Sequence, residues 1–79
     1  MNVTVRYFAA FREAAGIASE NLDTAAATPA ALFAECAGRH PSLQRYTASL
    51  VAINDEMAGW ESGLADGDEV LFFPPVAGG

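Results

Sequence analysis

Lysine is missing from this 79-residue chain, and the four cations it does carry are all arginines: Arg6, Arg12, Arg39 and Arg45. Against them stand ten Asp and Glu residues, for a formal net charge of −6 and a pI near 4.3. Nucleic acid binding needs a basic patch, so this balance argues against such a partner and for a basic protein surface instead. Cysteine is almost absent too. Cys36 stands alone, which excludes an intramolecular disulfide and suits a reducing compartment. No apolar run is long enough to span a membrane. The N-terminus opens on an alternating pattern, without the basic and then apolar regions of a signal peptide. Together these absences predict a cytoplasmic protein with no membrane partner. Charged residues make up only 18% and hydrophobic ones 52%, enough for a packed core and too apolar for disorder. The length allows one domain, near the lower size at which a single core suffices.

What is present reads in order as follows. Residues 2–8 alternate, with Val3, Val5 and Tyr7 on one face and Asn2, Thr4 and Arg6 on the other, the pattern of a half-buried strand. Ala9 to Ala15 favour a short helical turn, which Gly16 is placed to end in a left-handed conformation. Ile17 to Asp23 reads as a second, weaker strand, antiparallel to the first across a short connection. Thr28-Pro29 is a helix start, a hydroxyl N-cap followed by proline at the first helical position. Leu32, Phe33, Cys36 and Ala37 then form an apolar stripe at helical spacing, and Pro41 forces a stop near Arg39-His40. Leu43 to Leu50 is ambiguous between a helical turn and the approach to a strand. Val51 to Asn54 is a short strand, Asp55-Glu56 a turn, and Met57 to Glu61 a brief return around Trp60. Asp66-Gly67 is a turn, and Glu69 to Phe73 the last strand. The order predicts an α+β domain with one main helix across a mixed sheet. If the first strand pairs in parallel with the last, the two lie at the sheet centre.

The final six residues, Pro74-Pro75-Val76-Ala77-Gly78-Gly79, have a different character. The two prolines fix φ, lack N–H donors and should stop strand pairing. The expected division is therefore a domain over residues 1–73 and an extended tail over 74–79, semi-rigid and able to reach roughly 20 Å at ~3.3 Å per residue. Gly78 and Gly79 carry no Cβ, so a partner's narrow channel could close around them. A terminal α-carboxylate there is ionised at neutral pH. Such a group can attack an activated phosphate, become an acyl-adenylate and then accept a nucleophile. With no lysine on the chain, no side-chain amine of its own could capture it.

The stretch from Leu64 to Gly79, LADGDEVLFFPPVAGG, together with VTVRYFAAFRE at 3–13 and VAINDE at 51–56, resembles the small-subunit family of molybdopterin synthase. These are ubiquitin-like β-grasp sulfur carriers, and the likeness runs along essentially the whole chain. The resemblance implies that Gly79 is the functional terminus, adenylated with ATP by a ubiquitin-activating-like adenylyltransferase and converted to a thiocarboxylate with sulfur from a donor protein. It implies that Pro75, Val76, Ala77, Gly78 and Gly79 thread into the large synthase subunit, where sulfur passes to cyclic pyranopterin monophosphate to form the dithiolene of molybdopterin. It further implies a heterotetramer of two small and two large subunits. No cofactor would be bound by this chain, and it would supply a cosubstrate rather than acid–base chemistry. Carriers for thiamine, cysteine or tRNA thiolation share the same chemistry, and a ubiquitin-like modifier or plain interaction module shares the same shape.

Four residues are candidates for a partner interface. On the last strand Val70 and Phe72 point one way and Leu71 and Phe73 the other, so both faces are apolar and only one can cover the helix. Phe73 adjoins the tail, although the chain's own loops could cover it instead. Phe8 leaves the Val3-Val5-Tyr7 face and would share that second side. Arg12 could fork a carboxylate on the activating enzyme or simply be solvated. Cys36 lies on the helix stripe and reads as a small core hydrophobe rather than a sulfur site. His40 lacks a second ligand at metal spacing, and turn chemistry accounts for Asp66 and Asp68, so no metal site is expected.

Overall fold

The computed structural model describes residues 1–45 and 49–73. Five strands form one sheet in the order β2-β1-β5-β3-β4. They are β1 (Asn2–Tyr7), β2 (Ser19–Asp23), β3 (Leu50–Ile53), β4 (Glu56–Ala58) and β5 (Glu69–Phe73). A short helix α1 (Ala10–Ala15) links the first two strands, and α2 (Pro29–Arg39) crosses one face of the sheet, followed by a 3-10 turn at Pro41–Arg45. β1 runs antiparallel to β2 and parallel to β5, with Val5 beside Val70 and Tyr7 beside Phe72. This is the ubiquitin-like β-grasp arrangement, and the chain's last strand occupies the middle of its sheet.

Period-two alternation sorts the residues of β1 and β5 between the two faces. Val3, Val5, Tyr7, Val70 and Phe72 are all buried against α2, on which Leu32, Cys36 and Ala37 supply the facing stripe. Phe11 of α1 and Leu43 of the 3-10 turn close the ends of this core. The helix starts where the sequence says it should. The Thr28 hydroxyl accepts a hydrogen bond from the Ala31 amide at 3.2 Å, and Pro29 sits at the first helical position, satisfying one of the orphan donors of the helix N-terminus. Gly16 ends α1 at φ 81° and sends its amide back to the Arg12 carbonyl at 2.9 Å.

Several boundaries differ from the sequence expectation: β1 ends at Tyr7 rather than Phe8, α1 begins at Ala10 rather than Ala9, and β3 begins at Leu50 rather than Val51. β2 begins at Ser19 rather than Ile17; the Tyr7 amide still reaches the Ala18 carbonyl at 2.8 Å, and Ile17 stays in the connection. The β3–β4 turn is Asn54-Asp55, one residue earlier than expected, with φ 51° and 69°. Short polar side chains tolerate that left-handed pair, and two-residue hairpin loops require it. In consequence β4 stops at Ala58, and Trp60 lies beyond the strand that was expected to surround it. Its ring stacks on Phe72 at 5.7 Å and 6° and meets Phe33 edge-on at 5.7 Å. Its indole N–H donates to the Ser49 carbonyl at 3.2 Å, so this aromatic plugs the edge of the core.

Candidate partner-binding site

The face of the sheet away from α2 carries the other half of the alternation. One row across it reads Ser19, Arg6, Leu71, Ala52, Met57, taken from β2, β1, β5, β3 and β4 by their registers. Beside it, Phe73 stands opposite Leu50. Leu71 and Phe73 are half-buried, whereas Phe8 is 55% exposed and Met57 64%. Exposed and half-buried apolar residues gathered on one face of a small domain are of the kind that mark a partner interface.

At the β1 end of that surface, Arg6, Phe8, Arg12, Ser19 and Leu71 border a groove of about 420 Å³. Three of the four residues expected at an interface, Phe8, Arg12 and Leu71, therefore meet at one place. Phe73 shares their face of the sheet but does not line the groove. Sequence reasoning missed Arg6 and Met57. Arg6 could have been found, because strand alternation already places it on the same side as Phe8. Met57 depended on the position of the hairpin turn.

The groove gathers two of the chain's four cations in a strongly acidic protein. Arg6 is partly neutralised by Glu69 at 3.3 Å. Arg12 is exposed and forms no ion pair among the described residues. An exposed guanidinium beside an exposed phenyl ring can engage a carboxylate and an apolar contact together.

The other titratable groups serve the fold. Glu20 on β2 accepts from the Tyr7 hydroxyl at 2.7 Å and from Arg39 at 2.9 Å, and its second contact with α2 is His40 Nε2 at 2.9 Å. Burial raises the Glu20 carboxyl, but the hydrogen bonds from Tyr7, His40 and Arg39 outweigh it and hold the group below its ordinary value. His40 is thus a helix-end residue pinned to the sheet. Burial pushes the Tyr7 hydroxyl well above its ordinary value, with the neighbouring Cys36 thiol and the hydrogen bond to Glu20 adding to the shift. Cys36 is fully buried, and burial moves its thiol up to about 11, the reverse of what a reactive thiolate needs. Asp66 accepts from the Asn2 amide at 2.6 Å. Asp68 accepts from the Ala65 amide at 2.8 Å and from Asn54 at 2.9 Å. Their carboxylates tie the turn before β5 to both neighbouring strands. Among the described residues no cluster of His, Cys, Asp and Glu could hold a metal ion, and no helix is long and apolar enough to cross a membrane.

β5 ends at Phe73 in the centre of the sheet. The expected tail over 74–79, with Pro75, Val76, Ala77, Gly78 and Gly79, lies outside the described residues.

Known proteins place this arrangement. The molybdopterin synthase sulfur carrier subunit of Chlamydomonas reinhardtii is 35% identical over 83 aligned residues that span all of both chains. The crystal structure of small archaeal modifier protein 1 from Haloferax volcanii superposes with a TM-score of 0.84 at 28% identity, covering 95% of this chain and 98% of that one. Subunit 1 or 2 in the complex of the Helicobacter pylori molybdopterin-converting factor aligns over all of both chains, at 27% identity and a TM-score of 0.71. The profile of the ThiS family matches residues 5–79, and this chain belongs to that family.

Proposed function

We propose that this chain is the sulfur carrier subunit of a molybdopterin synthase. The observation that carries the reading is the full-length, 35% identity to a curated carrier subunit of that enzyme. In the proposed cycle the Gly79 carboxylate attacks the α-phosphate of ATP on a ubiquitin-activating-like adenylyltransferase, releasing pyrophosphate. A persulfide on a donor protein then displaces AMP to form an acyl disulfide, and a thiol cleaves its S–S bond, becoming a disulfide with the donor sulfur and leaving the thiocarboxylate on Gly79. The tail, Pro75 to Gly79, enters the large synthase subunit, where the sulfur passes to cyclic pyranopterin monophosphate. The domain contributes no acid or base to this chemistry. It docks through the outer sheet face around Phe8, Arg12, Leu71 and Phe73, the last of which immediately precedes the tail in sequence. One tail has to serve two active sites in turn, which favours a compact body with a portable end.

Intact-mass analysis tests the chemistry. After incubation with the activating enzyme, ATP and a sulfur donor, one terminal oxygen should be replaced by sulfur. Deleting Gly79 should abolish both this change and pterin conversion, while thermal unfolding stays unaltered. A deletion variant that still supports conversion would sink the proposal. A second reading, a protein modifier, is favoured by the likeness to small archaeal modifier protein 1. It predicts isopeptide conjugates of this chain to other proteins' lysines, visible by mass spectrometry of a cell extract.

A further inference from the structure

Ala9 has an unusual backbone for an alanine, with φ 53° and ψ −121°. Four other described residues have positive φ. Gly16 and Gly67 are glycines, and Asn54 and Asp55 form the polar hairpin turn, so each has a residue type suited to its conformation. Ala9 has no such justification. Its ψ takes it out of the left-handed helical well, to the first central position of a type II′ turn, which glycine normally fills. The Phe11 amide closes that turn on the Phe8 carbonyl at 3.0 Å. A non-glycine residue held there stores strain, and such strain concentrates at functional sites.

The turn has a visible consequence. Within five residues the chain points Tyr7 and Phe11 into the core, at 4% and 1% exposure, and leaves Phe8 at 55%. Arg12, whose amide bonds back to the Ala9 carbonyl at 3.0 Å, is exposed as well, and Phe8 and Arg12 line the same groove. Glycine would remove the strain, yet it would also widen the range of angles at which β1 feeds α1. An alanine methyl narrows that range.

We propose that Ala9 is a positioning residue, whose strained turn presets Phe8 and Arg12 for the large subunit at some expense to the fold. This rests on the large subunit being the partner. The test is Ala9→Gly in the full chain, measured for thermal unfolding and for affinity to the large subunit, with the unaltered chain alongside. Relief of strain should raise Tm by several degrees, about 4–8 °C for a domain of this size. Loss of presetting should weaken binding roughly two- to fivefold and increase backbone mobility from Phe8 to Arg12 in NMR relaxation. A merely structural role would move stability and affinity in the same direction. Affinity that is unchanged or improved in the glycine variant, or that falls together with Tm, overturns the inference. If the unaltered chain itself fails to bind the large subunit, the parent reading fails and this inference goes with it.

Discussion

The two faces of the sheet are built from the same strands by the same alternation, and they end in opposite conditions. The inner face is closed. Val3, Val5, Val70 and Phe72 are at most 1% exposed, and the aromatics Phe33, Trp60 and Phe72 pack on one another at its rim. The outer face has comparable apolar residues and no second layer among the described residues. Leu50, Leu71 and Phe73 are only half-buried, and Phe8 and Met57 stand in solvent. Hydrophobicity alone does not separate a core from an interface. What separates them is whether the chain itself provides the opposing surface, and among the described residues only one helix is long enough to cover a face.

The sharpest test of that difference sets two phenylalanines against each other. Phe72→Ala should cost about 3–5 kcal/mol, because it opens a cavity in a closed core, and that is a large share of the stability of any small domain. Phe8→Ala should cost about 1 kcal/mol or less in urea unfolding. It should nevertheless weaken binding to the large subunit at least tenfold, as truncation of an anchoring aromatic does. Equal losses of stability in the two variants would break the comparison and make the outer face part of the core.

A smaller effect comes from the polar rim of the inner face, where Tyr7, Glu20, Arg39 and His40 join the sheet to the end of α2. The Glu20 carboxyl is held below its ordinary value of 4.5. Its contribution is therefore complete above that value and is lost as pH falls through the lower folded-state value. Tyr7 and Cys36 are shifted the other way, upward from 10.0 and 9.0. Their contribution is complete below pH 9 and is lost as pH rises, beginning with Cys36 between 9 and about 11. Stability should thus be level from about pH 5 to 9 and decline on both sides. Cys36→Ser should leave the acid limb in place and change the alkaline one. A profile with no alkaline decline would show that these groups are not enclosed in the way the inner face requires.

Much of this was legible in the sequence, for reasons that differ by element. β1, β5 and α2 carry strong local signals, either strict alternation or a capped apolar stripe, and tertiary packing only reinforces them. Thr28 and Gly16 are local chemistry and sit where local rules put them. The hairpin after β3 was read one residue late because Asn54, Asp55 and Glu56 are all plausible turn residues, and only the cross-strand register, Ile53 opposite Glu56, chooses among them. That slip also misplaced Trp60, whose position depends on Phe33 and Phe72 from distant parts of the chain. At the candidate site, Phe8, Leu71 and Phe73 followed from alternation. The convergence of Phe8 and Leu71 with Arg12 in one groove did not, because it depends on the parallel β1–β5 pairing and on the turn at Ala9. No residue pattern announces an alanine at positive φ.

The smallest expected effect probes the one flaw visible in the inner face. Among the buried polar side-chain atoms described, the Ser49 hydroxyl has no hydrogen-bond partner, although Ser49 is only 6% exposed. It lies beside a cavity of about 270 Å³ shared with Ala30, Phe33 and Trp60. A buried hydroxyl with no partner costs free energy relative to an apolar atom in its place, while the Ser49 backbone carbonyl still serves Trp60. Ser49→Ala removes the hydroxyl and keeps that carbonyl, so it should raise stability by about 0.5–1 kcal/mol. Trp60 is the only tryptophan, so its fluorescence reports the same site during unfolding. A loss of stability would mean that the hydroxyl is satisfied after all, by water entering the cavity. The inner face would then be less completely closed than its outer counterpart makes it look.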